Sequence, residues 1–233
     1  MIIHYEDYNS ADKLISQFCA IEWDEILAVL QEMPIHLKAS DQKGKQGNPI
    51  FDPVGTNSYI KQYLTQKEWA DKIPLGKELD FLGTDVDFGK NGIILEAQFS
   101  NYPFLLNNII RSEVLYKTQF LVGRKPTKIL MIITKAHMFP ASNSTLYYEQ
   151  AIGQIDFLDK LNIFKIPVRL IGLFGFYGES IPAKWTIYKD PRYSRTIIDQ
   201  KDIECSIQTP RGEPATNRRA IIQKTTAKRE LYS

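Results

Sequence analysis

The chain is short of cysteine: Cys19 and Cys205 are the two in 233 residues. That is too few for a disulfide framework and fits a reducing compartment, so a hydrophobic core must hold the fold. Cys19 lies within a helical apolar pattern and reads as a buried, inert thiol. No apolar run approaches the ~18 residues a membrane span needs, and no charged, apolar, small-residue leader stands at the N-terminus. Internal repeats and low-complexity tracts are absent. Charge of one sign is scarce as well, since 29 Lys and Arg against 27 Asp and Glu leave +2. Such a balance neither demands nor excludes a polyanionic partner, and local clustering decides. What is left is an ordinary soluble composition, 43% apolar and 24% charged. The length suits one domain, or one with an appendage, around a large core.

Hydrophobic periodicity then orders the chain. A helix is expected over residues 11 to about 20 with Ser10 as its N-cap. A second follows, with Trp23, Ile26, Leu27 and Leu30 at helical spacing before Pro34. Residues 38–49 form a polar loop with lysines and glycines, either a solvated connection or a mobile arm that touches phosphates. Thr56 or Asn57 should cap a helix carrying Tyr59, Ile60, Tyr63 and Leu64. Pro103 suits a first helical turn, with Phe104, Leu105, Asn108, Ile109, Ser112 and Leu115 as the inner stripe beyond it. Residues 128–134 are nearly all apolar, as in a central strand covered on both faces. A helix over residues 145 to about 161, with Ala151, Ile155, Leu158 and Leu161 inward, and a strand over 167–173 complete the alternation. The pattern predicts an α/β fold with a mixed central sheet flanked by helices. Past Phe174 it weakens. The last 33 residues hold seven Lys/Arg against four Asp/Glu, and Ile203, Ile207, Ile221 and Ile222 suggest short strands of an added β-element.

The stretch from Leu82 to Phe99 carries the most chemistry. Asn91-Gly92 is a strong hairpin signal because both residues tolerate positive φ. In the second strand Ile93, Leu95, Ala97 and Phe99 point one way, and Ile94, Glu96 and Gln98 the other. In the first strand Asp85 and Asp87 share a face. Two carboxylates converging at a strand edge make a hard, oxygen-lined site suited to Mg²⁺. The plainer alternative makes the aspartates solvated turn residues, and Glu96 and Gln98 the wet face of a half-exposed strand. Ser100 and Asn101 follow at the start of the next helix, placed to cap it or, for Asn101, to bond an adenine edge. Residues 135–144 leave the apolar strand with many short hydrogen-bonding side chains. Residues 190–196 set two arginines and a tyrosine in a loop.

Taken together, several runs resemble the type II restriction endonucleases of the Asp…Glu-x-Lys nuclease superfamily, in a variant with glutamine in place of lysine. They include Met33-Pro-Ile-His-Leu-Lys-Ala-Ser-Asp-Gln42, Ile50-Phe-Asp-Pro-Val-Gly-Thr-Asn57, Asp80-Phe-Leu-Gly-Thr-Asp-Val-Asp-Phe-Gly-Lys90 and Glu96-Ala-Gln-Phe-Ser-Asn-Tyr-Pro103. Leu146-Tyr-Tyr-Glu-Gln150 and Arg192-Tyr-Ser-Arg-Thr-Ile197 continue them in the same order. The likeness runs to about residue 200 and thins near 118–128, 174–188 and in the tail.

The resemblance implies a restriction-endonuclease-like core over residues 1–175, and a DNA-contacting loop with a smaller β-rich subdomain over 176–233. It implies Mg²⁺-dependent hydrolysis of double-stranded DNA by a homodimer at a palindromic hexamer. A family member reads AGATCT and cuts after the first A, leaving 5′-phosphates and four-base 5′ overhangs. The metal-binding aspartate falls on Asp87, the second acid on Glu96, the unusual glutamine on Gln98, and a backbone metal ligand on the carbonyl of Ala97. Ser100, Asn101, Asn143 and Ser144 fall on base-reading loops. Tyr193, Ser194 and Arg195 match a third contacting loop. Mn²⁺ is expected to replace Mg²⁺, and Ca²⁺ to support binding without cleavage. A cytoplasmic bacterial enzyme with a protecting DNA methyltransferase in the same cell is implied too. Lys72 stands where the family has asparagine near its active site. Two alternatives remain: a DNA reader that does not cut, favoured by the missing lysine, and the same fold with a different GATC-type target.

Overall fold

The computed structural model describes residues 1–142, 145–190, 195–208 and 222–225. Strand β1 (Ile2–Tyr8) leads into helices α1 (Ala11–Phe18) and α2 (Ala20–Glu32), then the hairpin β2 (Ile35–Ala39) and β3 (Pro49–Phe51), then helix α3 (Pro53–Thr65). Strands β4 (Ala70–Pro74), β5 (Asp85–Lys90) and β6 (Ile93–Ala97) precede helix α4 (Phe104–Lys117). After the short pair β7 (Leu121–Val122) and β8 (Lys125–Pro126) come strand β9 (Ile129–Lys135), helix α5 (Tyr148–Lys160) and strand β10 (Val168–Phe174). Strands β11 (Ser180–Tyr188), β12 (Ile197–Ile207) and β13 (Ile222–Thr225) complete the described chain.

The central sheet runs β1-β10-β9-β6-β5-β4. Its middle strands β10, β9 and β6 are parallel, β1 and β5 flank them antiparallel, and β4 pairs antiparallel with β5 at the edge. Every residue of β9 is buried, as its apolar run requires. The two-residue period sorts the side chains between two cores. Ile93, Leu95, Ile129, Met131 and Ile133 pack with Trp23, Ile26 and Leu30 of α2 and Ile60 and Leu64 of α3. Ile94, Leu130 and Ile132 pack with Leu105 and Ile109 of α4 and Ala151 and Ile155 of α5. The expected mixed sheet flanked by helices is the one observed.

The second sheet runs β13-β12-β11-β2-β3. It unites the C-terminal strands with β2 and β3, because β11 pairs in parallel with β2 from Ala183↔Ile35 to Thr186↔Lys38. A division of the chain at residue 176 therefore passes through this sheet. The expected loop at 38–49 is a hairpin whose strands close on each other at Leu37↔Phe51 and Ala39↔Pro49.

Several local expectations give way to tertiary context. Ser10 precedes α1 in the left-handed region at φ 62° and makes no side-chain cap bond. The cap of α3 is Asp52, whose carboxylate accepts from the Val54 N–H at 3.1 Å, while Thr56 lies inside the helix. Phe104 and Leu161, expected inward, are 50% and 55% exposed. Strands β1 and β4 have no clear alternation, and pairing to a stronger neighbour at each sheet edge forms them.

Asp52 does more than cap. It is fully buried and also accepts the Tyr188 hydroxyl at 2.6 Å, so the start of α3 is fastened to the end of β11. Asp52→Ala removes the cap and the acceptor of the buried Tyr188 hydroxyl, and should cost about 2 kcal/mol in a urea titration. Tyr188→Phe spares the cap and should cost about 1 kcal/mol in the same urea titration.

Candidate active site at the end of the β5–β6 hairpin

The hairpin turns as its sequence dictates, with Asn91 at φ 51° and Gly92 at φ 87°. Only glycine fits the second position, because an added Cβ would lie 2.4 Å from the Pro126 carbonyl oxygen. From the turn the ladder runs Lys90↔Ile93, Gly89↔Ile94 and Phe88↔Leu95, and there it stops. Beyond that point the Ala97 N–H donates to a carboxylate oxygen of Asp87 at 2.9 Å. The end of the pairing thus fixes Asp87 against the backbone of the neighbouring strand.

Glu96 sits one residue before Ala97 and is 3% exposed. The face of β6 that the plainer alternative left wet is covered by α4. From that helix Arg111 reaches Glu96 with an Nη2–Oε1 distance of 2.5 Å, and it donates to Asn108 Oδ1 at 3.1 Å. Asn108 in turn donates to Gln98 Oε1 at 3.4 Å. The Gln98 amide donates to the carbonyls of Ser100 at 2.6 Å and Asn101 at 3.2 Å. One chain of bonds therefore runs from the acid through α4 to the loop after β6. Gln98, which the resemblance sets where the superfamily has lysine, is bonded at both amide atoms within the protein and anchors this loop.

Burial dominates the electrostatics of the pair. It raises Glu96 to a pKa of about 8, against the pull of Arg111 and with a further push from Asp87. It also raises Asp87, opposed by the Ala97 N–H and Arg111. Asp85, at the outer end of β5, adds to that rise and accepts the Thr84 hydroxyl at 3.1 Å. Arg111 works against the rise in both acids, and burial outweighs it.

In front of Asp87 a cleft of about 930 Å³ opens, lined by Ser100, Asn101 and Arg195 together with Lys38, Lys61, Asp71, Lys72 and Thr145. Asn143, Ser144, Tyr193 and Ser194 lie outside the described residues. The ends of the two flanking segments share one anchor, the fully buried Lys135 at the end of β9. Its ammonium donates to the Phe99 carbonyl at 2.8 Å, the Thr145 hydroxyl at 2.6 Å and the Leu146 carbonyl at 3.0 Å. Thr145 donates to the same Phe99 carbonyl at 2.6 Å.

The sequence reading missed Arg111 and Lys135, and took Asn108 as packing alone. A signal existed for Arg111: it is a charge one turn from Asn108 on a face that also buries Ser112, and a charge at such a position needs a partner. Among the described residues no three Asp, Glu, His or Cys side chains gather to hold a metal. The candidate donors are two carboxylates and the Ala97 carbonyl. An all-oxygen set of this size suits Mg²⁺, which keeps several of its waters.

Comparison with known proteins finds similarity over most of the chain. The profile of the family described as restriction endonuclease BglII/BglIII matches residues 3–173. The type II restriction enzyme BglII of Bacillus subtilis is 48% identical over 219 residues, covering 94% of this chain and 96% of that one. A crystal structure of BglII complexed with a DNA 16-mer superposes with a TM-score of 0.92 at 47% identity, covering 97% of this chain and 100% of that one. Free BglII gives 0.74 at 44% identity with the same coverage.

The raised Glu96 predicts a pH dependence of stability. In the window between its ordinary value and about 8 the folded state holds more protons than the unfolded. Stability without metal must therefore fall as pH rises through that window. Glu96→Gln should flatten the slope and be relatively more stable at the alkaline end, as read by urea unfolding in EDTA across the range. Parallel profiles for the two proteins would contradict the assignment.

Proposed function

The chain belongs to the restriction endonuclease BglII/BglIII family and is a type II restriction endonuclease; from that premise we propose that it cuts double-stranded DNA at a GATC-centred palindrome. The target is AGATCT, cut after the first A to leave 5′-phosphates and four-base 5′ overhangs. The observation that carries the reading is the meeting of Asp87 and Glu96 where the β5–β6 ladder ends, beside a cleft walled by Ser100, Asn101 and Arg195.

Asp87, Glu96 and the Ala97 carbonyl would hold Mg²⁺, with Mn²⁺ as a substitute and Ca²⁺ supporting binding alone. An ion held there would supply an acidified water and neutralise phosphate charge. Asp87 is kept in place by the Ala97 N–H, and Arg111 orients the Glu96 carboxylate. Gln98 holds the loop that presents Ser100 and Asn101. Those two side chains meet base edges, joined by Asn143 and Ser144. Tyr193, Ser194 and Arg195 contact the duplex as well. Phosphate contacts orient the protein, and base contacts select the sequence.

A palindromic target calls for a two-fold dimer with one half-site per subunit. Leu106 and Ile110, one turn apart on α4 and 42% and 40% exposed, offer apolar surface for a second copy. A protecting methyltransferase belongs in the same cell. Among the described residues no helix is long and apolar enough to cross a membrane.

Incubation with phage DNA and sequencing of the ends tests the proposal. Discrete fragments with AGATCT-derived ends are expected in Mg²⁺, and a bound but intact duplex in Ca²⁺; other ends would reassign the target. Asp87→Ala or Glu96→Ala should abolish cleavage while leaving binding in place, and normal cutting by either would remove the acid pair from the mechanism. Asn101→Ala should weaken specific binding by ~1–3 kcal/mol, and an equal loss on random DNA would make Asn101 a positioning contact only.

A further inference from the structure

Attack of hydroxide on a phosphodiester places a second negative charge on the pentacovalent phosphorus. Catalysis of such a step rests on positive charge fixed where that charge develops. The interior cation of this site does not supply it. Arg111 is 6% exposed and its guanidinium is engaged by Glu96 and Asn108. Of the lysines on the cleft wall, Lys61 is ion-paired with Asp71. Lys38 sets its ammonium over the Tyr188 ring, 5.9 Å from the centroid.

Lys72 differs from both. It is exposed, it lines the same cleft as Asp87, and among the described residues its ammonium has no hydrogen bond or ion pair. Asp71 feels its charge but is bonded to Lys61. The β4–β5 register, with Asp71↔Phe88 and Ile73↔Val86 on either side, puts Lys72 directly across from Asp87. Its backbone departs from the strand to φ 50°, a conformation that costs a non-glycine residue about 1 kcal/mol. Strain of this kind tends to persist where geometry serves a site.

We propose that Lys72 is a catalytic residue, whose ammonium reaches across the β4–β5 ladder to a nonbridging oxygen of the phosphate at Asp87. This rests on the nuclease reading above. Water oxygen gives up one proton to solvent and forms the new bond to phosphorus; the bond from phosphorus to the 3′ oxygen breaks with its electron pair on that oxygen, which takes a proton from solvent water to become the 3′ hydroxyl. Lys72 keeps its protons throughout and stabilises the charge on the phosphoryl oxygen.

The test uses full-length protein and the duplex whose cut site has been located by end sequencing. Lys72→Gln should slow single-turnover cleavage roughly 10²–10³-fold, and Lys72→Arg should keep most of the rate. Equal losses in the two variants would indicate a requirement for shape and overturn the proposal, as would a wild-type rate in Lys72→Gln. A second readout needs no chemistry. With EDTA present, Lys72→Gln should lower the slope of log affinity against log salt by about 0.9. A neutral methylphosphonate at the cut position should lower the wild-type slope equally, and the variant should lose nothing further on that duplex. Additive losses would place Lys72 on another phosphate and overturn the assignment. Asp87→Asn run in parallel separates the failures: if it still cuts, the active-site reading falls. If it is inactive while Lys72→Gln is unaffected, only the role of Lys72 falls.

Discussion

The Glu96–Arg111 pair sits on a strand whose two faces are covered, and much of the site follows from how that buried charge is met. Burial of a carboxylate is costly unless a counter-charge and further hydrogen bonds meet it. Arg111 provides the counter-charge at 2.5 Å, and Asn108 occupies another guanidinium proton. This demand fixes the rotation of α4 about its axis, because both partners must face β6. It also shapes the approach to the hairpin: an added Cβ on Gly83, at φ 119°, would fall 2.7 Å from Nη1 of Arg111. Burial outweighs that counter-charge, and both acids stay raised.

A second buried charge organises the rim of the cleft. Lys135 closes β9 and draws in the Phe99 carbonyl from one side and Thr145 and Leu146 from the other. Gln98 secures the same loop from the acid pair's side. Ser100 and Asn101 therefore ride on a segment pinned at its base by two interior polar groups. Residues that must meet a ligand accurately are best carried by short loops on rigid strands. The Asp52–Tyr188 bond plays a comparable part at the opposite wall, where the second sheet meets α3.

Legibility followed the range of the interaction. The Asn91-Gly92 turn, the apolar β9 and the heptad-like burial of α2 are local patterns, and all stand where the sequence put them. The convergence of Asp87 and Glu96 was readable because a tight hairpin fixes register. The strands β1 and β4 were not, since edge pairing alone makes them strands. Nor was the membership of β2 in the second sheet, which depends on β11 nearly 150 residues later. Phe104 and Leu161 misled because helical spacing does not say which side of a stripe meets the core.

From its own order of residues the chain determined a mixed α/β core, a tight acidic hairpin and the polar character of the segments around it, since turn chemistry and side-chain alternation act over a few residues. Tertiary structure alone decided that Arg111 answers Glu96, that the amide of Gln98 turns to its own loop, and that Lys72 lies across from Asp87. Those pairings join residues from separate elements, and only the packing of α4 on β6 and of β4 on β5 brings their side chains within bonding or cross-strand reach.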